Sequence, residues 1–228
     1  MIEFLFLDLD DTILDFHKAE RIALSNTIRS FGIEPTEEVL GRYHVINKWH
    51  WEQLELGTMT RAEVLVGRFA MLFEERNIAV DPEAVARAYE KNLGIGHWFL
   101  PGAEEAVETL SKKYRLFLAS NGTASVQKGR MTSANLYRFF EKVFVSQEIG
   151  HNKPSKAYFD ACFAAIPDFD PEKAMIVGDS LSSDIQGGIN AGIKTCWVNP
   201  THAAAKAGIR PDYEIEALHQ LPALLEQM

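Results

Sequence analysis

The stretch FLFLDLDDT, residues 4–12, opens as an uninterrupted apolar run and closes on three carboxylates and a hydroxyl. Four consecutive large apolar residues bounded by acid read as a strand buried on both faces, the pattern of a parallel sheet covered by helices. A strand that ends on Asp8, Asp10 and Asp11 carries an electrostatic problem with it. Two carboxylates about 4 Å apart repel by roughly 4 kcal/mol at an effective dielectric near 20. Charges brought together at the edge of a buried sheet need a cation or a shared proton.

Working outward from this strand, the pattern turns helical from Phe16 to about Asn92. Ala19, Ile22, Ala23, Ile28 and Phe31 form one stripe, which Gly32 stops. Pro35-Thr36 opens a second helix that ends near Gly57. Thr60 and Glu63 form a capping box for a third, and Asp81-Pro82 caps a fourth. Beyond "WFLPG" at 98–102 the pattern alternates. A helix over 102–113 is followed by short apolar strands at 115–119, 142–146, 174–178 and 193–198. Helical segments near 124–134, 155–165 and 182–191 separate them. Alternation of this kind predicts an α/β fold, a doubly wound parallel sheet. The expected organisation is a discontinuous core, residues 1–15 and 98–228, with an all-helical domain, residues 16–97, inserted after the first strand. Gly187 and Gly188 fall inside an expected helix and read as sites of close backbone packing.

Composition narrows the partners. The 228 residues carry a net charge of −9, with 46% hydrophobic and 24% charged residues, as in an ordinary folded chain. No basic stripe is available to displace counterions, which argues against a nucleic-acid polymer as partner. No apolar stretch approaches the roughly 20 residues needed to span a bilayer, so no membrane role is expected. No leader pattern precedes the first strand. Cys162 and Cys196 are far apart, each in an apolar pattern, and read as reduced core thiols. A cytoplasmic setting, as a monomer or homodimer, is the expectation.

Ligands of an open parallel sheet sit outside the carboxyl ends of its strands, so what each strand ends on is informative. The first delivers Asp8-Leu9-Asp10-Asp11-Thr12 and the second Ser120-Asn121-Gly122. The third leads to Lys153-Pro154, and the fourth delivers Gly178-Asp179-Ser180 with Asp184 beyond. Asp8, Asp10 and Asp179 in one crevice call for a hard divalent ion with a preference for oxygen, and Mg²⁺ takes one or two carboxylates, waters and a substrate phosphate. Asp8 and Asp10, one residue apart, can address one substrate from two positions. One carboxylate can attack phosphorus, and the other can protonate the leaving oxygen and later deprotonate water. Ser120, Asn121 and the backbone N–H groups around Gly122 can bind phosphate oxygens, and Lys153 can balance charge. Asp11 reads as a turn or helix-cap residue.

These four ordered motifs resemble those of the haloacid dehalogenase superfamily, over essentially the whole chain. The resemblance implies that Asp8 is the nucleophile and Asp10 the general acid/base. It places Mg²⁺ on the Asp8 side chain, the Asp10 backbone carbonyl and Asp179, with Asp184 orienting ligands and waters from behind them. Ser120 and Lys153 would hold phosphate, and the helical insertion would be a C1-type cap. "VINKWHWEQLELGTMT" with "GRF" in the cap and "DIQGGINAGIKTCWVNP" in the core look like the bacterial pyrimidine 5′-nucleotidases. The implied substrate is a small phosphate ester, with a nucleoside 5′-monophosphate favoured. A sugar-phosphate phosphatase or phosphomutase shares every core motif. A phosphoacceptor signalling or binding module has no use for Asp10 as a hydrolytic base. A dehalogenase would leave Asp10 unexplained. Trp49, Trp51, His44 and His50 read individually as packing residues, Asn47 and Arg68 only as possible contacts, and His17 and His151 as loop histidines.

Overall fold

The computed structural model describes residues 1–205 and 208–228. Its centre is a six-stranded sheet, all parallel, in the order β3-β2-β1-β4-β5-β6. The strands are β1 (Phe4–Leu7), β2 (Arg115–Ser120), β3 (Lys142–Val145), β4 (Ala174–Gly178), β5 (Lys194–Val198) and β6 (Tyr213–Ile215). The helices are α1 (Phe16–Ser30), α2 (Glu37–Glu55), α3 (Arg61–Arg76), α4 (Pro82–Leu93), α5 (Ala103–Ser111), α6 (Ala124–Ser133), α7 (Ser146–Ile149), α8 (Lys156–Ala164), α9 (Gln186–Ala191) and α10 (Leu221–Leu225).

Every residue of β1 is buried, because the strand is central and its alternate side chains feed two different cores. Leu5 and Leu7 join Leu116, Leu118, Met175 and Val177 on the face covered by α5. Phe4 and Phe6 join Phe117, Phe144, Ile176 and the α8 residues Tyr158, Phe159 and Cys162 on the other. Both cysteines are buried free thiols. The strands follow one another outward from β1 through β2 to β3 on one side and from β4 through β5 to β6 on the other, so the crevice above the carboxyl ends of β1 and β4 is the topological switch point.

Helices α1 to α4 form a smaller layer with its own core of Ala23, Ile28, Tyr43, Phe69, Leu72 and Tyr89. Their starts are set by side-chain caps, of which only that of α1 was not among the expectations. Asp15 accepts from Lys18 N, and Thr36 accepts from Val39 N. Thr60 and Glu63 close a complete capping box, while Asp81 accepts from Glu83 N and Ala84 N. The two chain crossings between this layer and the sheet lie side by side. Leu14 bridges Phe99, Asp15 N donates to Trp98 O, and Leu100 N donates to Ile13 O.

The short helices α7 and α10 lie outside the periodicity-based expectation, and two further differences bear on the sheet and the site. Strand β6 was not anticipated, because three residues at a sheet edge are too few to show alternation. The helix expected over 182–191 starts as a wide π-helical turn, Leu181–Ile185, before α9. That wider turn carries Asp184 back beneath the end of β4, where its Oδ2 accepts from Ser180 N at 3.1 Å.

The paired glycines of α9 mark close packing. A Cβ on Gly188 would lie 2.6 Å from both Ile176 Cγ2 and Thr195 Cγ2, and one on Gly187 would lie 2.6 Å from Phe159. Gly188→Ala should therefore lower unfolding stability by about 1–3 kcal/mol in chemical denaturation, because the helix must lift off the sheet. An unchanged midpoint would contradict this packing.

Candidate active site

The switch point is where the acidic strand ends meet. Asp8 leaves β1, with its backbone N donating to Val177 O at 2.9 Å, and Asp179 follows β4 directly. Ligand oxygens of Asp8, Asp179 and Asp184 all lie within 4.8 Å of one another. Gly178 is required for this approach, since a Cβ there would meet Asp184 Oδ2 at 2.2 Å.

One ammonium ties the group together. Lys153 Nζ, 1% exposed, donates to Asp8 Oδ1 at 2.7 Å, Asp184 Oδ1 at 2.6 Å and the Ala119 carbonyl at 2.6 Å. Burial works against its charge, but Asp184 and Asp8 outweigh burial and hold it above the ordinary lysine range. The acids remain in excess. Burial pushes Asp8 up to about 8, with Asp184 and Asp10 adding to the rise and Lys153 opposing it. Asp179 is held well above the carboxylate range by burial and then by Asp8 and Asp184. Three converging carboxylates with a single ammonium form a donor set suited to a hard divalent cation.

The carboxylate of Asp10 turns elsewhere. It accepts from Arg130 Nη1 and, at 2.7 Å, from Gln127 Nε2, and lies outside the three-carboxylate cluster. Gln127 Nε2 also donates to Ser120 Oγ at 2.8 Å, and Gly122 N donates to the same oxygen at 3.1 Å. The Asn121 amide braces the lysine loop: Nδ2 donates to Lys153 O, and Oδ1 accepts from Lys153 N, both at 2.9 Å. Asp11 adopts φ 54° and accepts from Phe16 N at 2.9 Å, capping the start of α1. Burial raises its carboxyl to about 6.

The polar motif residues open onto one cavity of about 190 Å³, Thr12 excepted. Asp8, Asp10, Ser120, Asn121, Gly122, Lys153, Asp179 and Asp184 all line it. The helical layer supplies its roof with Phe16, Trp51, Glu55, Arg68, Glu90 and Leu93. Trp51 thus faces the cavity, whereas Trp49 is 40% exposed at the surface. His50 is buried against the Ile46 carbonyl at 2.8 Å, and His44 pairs with Glu20. His17 pairs with Asp11 at 3.4 Å, and His151 is exposed.

Several participants carried no motif signal. Arg130 is fully buried and joins Asp10 to the Gly96 carbonyl, its Nε lying 2.9 Å from that oxygen. Arg61, the first residue of α3, reaches across to Asn121 O at 2.8 Å, Ser146 Oγ at 2.6 Å and Asn152 Oδ1 at 2.9 Å. Glu55 accepts from Ser182 Oγ at 2.9 Å, and burial lifts it to about 7. A lone arginine or glutamate in a helix reads as solvated surface, and only the folded arrangement shows these reaching across.

Lys153→Met, which leaves Asp8 and Asp184 buried without their base, should cost about 3–5 kcal/mol of stability in EDTA. Equal denaturation midpoints for variant and wild type would show that the ammonium does not hold these strand ends.

Comparison with known proteins agrees with this geometry. A family model described as haloacid dehalogenase-like hydrolase matches residues 5–198. The HAD-hydrolase YfnB of Bacillus subtilis is 38% identical over 221 residues, covering 97% of this chain and 94% of YfnB. A crystal structure of YfnB, described as bound to magnesium and as revealing interdomain movement, superposes with a TM-score of 0.94 over 98% of each chain. The pyrimidine 5′-nucleotidase PynA of Streptococcus pneumoniae is 34% identical, covering 99% of this chain and 95% of PynA. The pyrimidine 5′-nucleotidase YjjG of Escherichia coli is 30% identical, covering 98% of this chain and 97% of YjjG. The resemblance carried by the four motifs thus extends along the chain, which belongs to the haloacid dehalogenase-like hydrolases.

Proposed function

We propose that this protein is a Mg²⁺-dependent phosphomonoesterase working through an aspartyl-phosphate, with nucleoside 5′-monophosphates, pyrimidine ones first, as substrates. The observation that carries the reading is the convergence of Asp8, Asp179 and Asp184 on Lys153 at the switch point, beneath a roofed cavity. The substrate class is supported by two relatives named as pyrimidine 5′-nucleotidases at 30–34% identity.

Asp8, Asp179 and the Asp10 backbone carbonyl would hold Mg²⁺, with Asp184 fixing the directions of Lys153 and of the Ser180 amide. When bound, the ion neutralises the excess carboxylate charge and polarises a phosphate oxygen. Asp8 attacks phosphorus, and its oxygen takes the phosphoryl group as the ester oxygen departs. Asp10 gives that oxygen its proton, so the alcohol leaves neutral. Asp10 then takes a proton from water, the water oxygen attacks the phosphorus of the acyl phosphate, and inorganic phosphate and the Asp8 carboxylate are released. Ser120 Oγ and the loop N–H groups hold the phosphate oxygens, while Lys153 balances their charge. Arg130 and Gln127 fix the direction in which Asp10 presents its oxygens. The helical layer, acting as a cap over residues 16–97, admits substrate when open and excludes bulk water when closed.

Phosphate release from a panel of 5′-nucleotides and sugar phosphates tests this reading. The expected result is preference for UMP, dUMP or dTMP, loss of turnover in EDTA, and no turnover by Asp8→Asn despite an intact fold. Preference for a sugar phosphate would keep the core chemistry and remove the nucleotide assignment. Retained activity in Asp8→Asn would remove the nucleophile. Asp179→Asn should need far more Mg²⁺ for half-maximal rate, and an unchanged Mg²⁺ titration would take Asp179 out of the metal site.

A further inference from the structure

Of the three charged residues in the roof, Glu55 is bonded to Ser182, and the phosphoryl chemistry uses neither of the other two. Arg68, on α3, is 2% exposed and lines the cavity. Its Nη1 donates to Asn47 Oδ1 at 2.9 Å and its Nε to Leu65 O at 3.3 Å, while its guanidinium lies 4.9 Å from the Tyr89 ring centroid. Asn47 is itself held, donating to Glu20 Oε1 at 2.6 Å. The arginine is thus fixed on one side, and among the described residues Nη2 meets no protein acceptor. Glu90, on α4, lines the same cavity, and its Oε1 is buried without a hydrogen-bond partner among the described residues. A buried carboxylate oxygen left unpaired is costly, and it is the kind of group that a ligand donor satisfies.

Phe16, Trp51, Leu93 and Val126 add apolar wall to the same cavity. Trp51 is pinned by Arg61, whose guanidinium lies 5.5 Å from its ring centroid. Aromatic and aliphatic walls with one fixed donor and one unpaired acceptor suit a flat, largely apolar ring whose edge carries an acceptor beside an N–H.

We propose that Arg68 and Glu90 are specificity-determining residues that read the edge of a nucleobase, Arg68 Nη2 donating to a ring carbonyl or ring nitrogen and Glu90 Oε1 accepting from an N–H. This rests on the phosphomonoesterase reading above and adds the groups that select the leaving alcohol. Sugar hydroxyls present the same donor and acceptor chemistry without a flat face, so the test must separate the two sources.

Full-length wild type, Glu90→Gln and Arg68→Lys are assayed with Mg²⁺ on UMP and dTMP, on ribose 5-phosphate and glucose 6-phosphate, and on phenyl phosphate. Phenyl phosphate has a flat leaving group with no polar edge. The expected result is that the ratio of kcat/KM for nucleotide to that for phenyl phosphate falls roughly 10-fold or more in Glu90→Gln, chiefly through KM. Arg68→Lys should move the ratio in the same direction. If it does not fold, Glu90→Gln carries the test alone, because Glu90 is only partly buried. A ratio unchanged in a wild-type-like fold would overturn the proposal and leave the nucleotidase reading standing. A fall confined to the sugar phosphates would overturn it too, assigning the pair to hydroxyls. Wild type that hydrolyses phenyl phosphate and sugar phosphates but no nucleotide would instead remove the nucleotidase reading, and the base edge with it.

Discussion

A single buried ammonium holds this site together. Lys153 Nζ touches Asp8 beyond β1, the Ala119 carbonyl of β2 and Asp184 beyond β4, so one charge joins the carboxyl ends of three strands. Without it the three carboxylates could not share so small a space, since each neighbouring charge raises the cost of ionising the next. The lysine is in turn placed by Asn121, which bonds its backbone N and O from the loop after β2. Because the sheet is parallel and β1 is central, these loops all open on the same edge. The excess acid that remains makes a donor set suited to a divalent cation.

The second constraint is the join between the helical layer and the sheet. The two crossings pair through Leu14 and Phe99, giving a short ladder about which the layers meet. Arg130 reaches from α6 to the carbonyl of Gly96 beside one crossing and to Asp10 beside the other. The direction of the Asp10 carboxylate is therefore tied to both crossings. Arg61 and Glu55 carry the same coupling from above, binding the loop after β2 and Ser182 respectively. The position of the roof and the direction of the Asp10 carboxylate are thus parts of one hydrogen-bonded arrangement.

Much of this was legible in the sequence because backbone chemistry is local. The apolar run Phe4–Leu7 with its acid end, the capping box at Thr60 and Glu63, and Asp81 before Pro82 each state their element directly. The ordered strand ends were legible as a set because a parallel sheet brings them to one edge. What could not be read were features set by tertiary reach. Arg61, Glu55, Gln127 and Arg130 lie in helices where their residue types are ordinary, and nothing in local spacing says that they cross to another layer. The roles of Trp49 and Trp51 likewise separate only once the helix is rotated against its neighbours, one to solvent and one into the cavity. Strand β6 was missed for its length, and the wide turn before α9 because its spacing resembles an ordinary helix start.

In the proposed reaction a carboxylate oxygen of Asp8 receives the phosphoryl group. The most direct measurement is acid-quenched peptide mass spectrometry of the Asp10→Ala variant during turnover of 4-nitrophenyl phosphate, whose leaving group needs no proton. Loss of the base slows hydrolysis of the intermediate, so the peptide carrying residues 4–12 should gain one phosphoryl group on Asp8. Steady product formation with that peptide unmodified, or with the phosphoryl group on another residue, would contradict the mechanism.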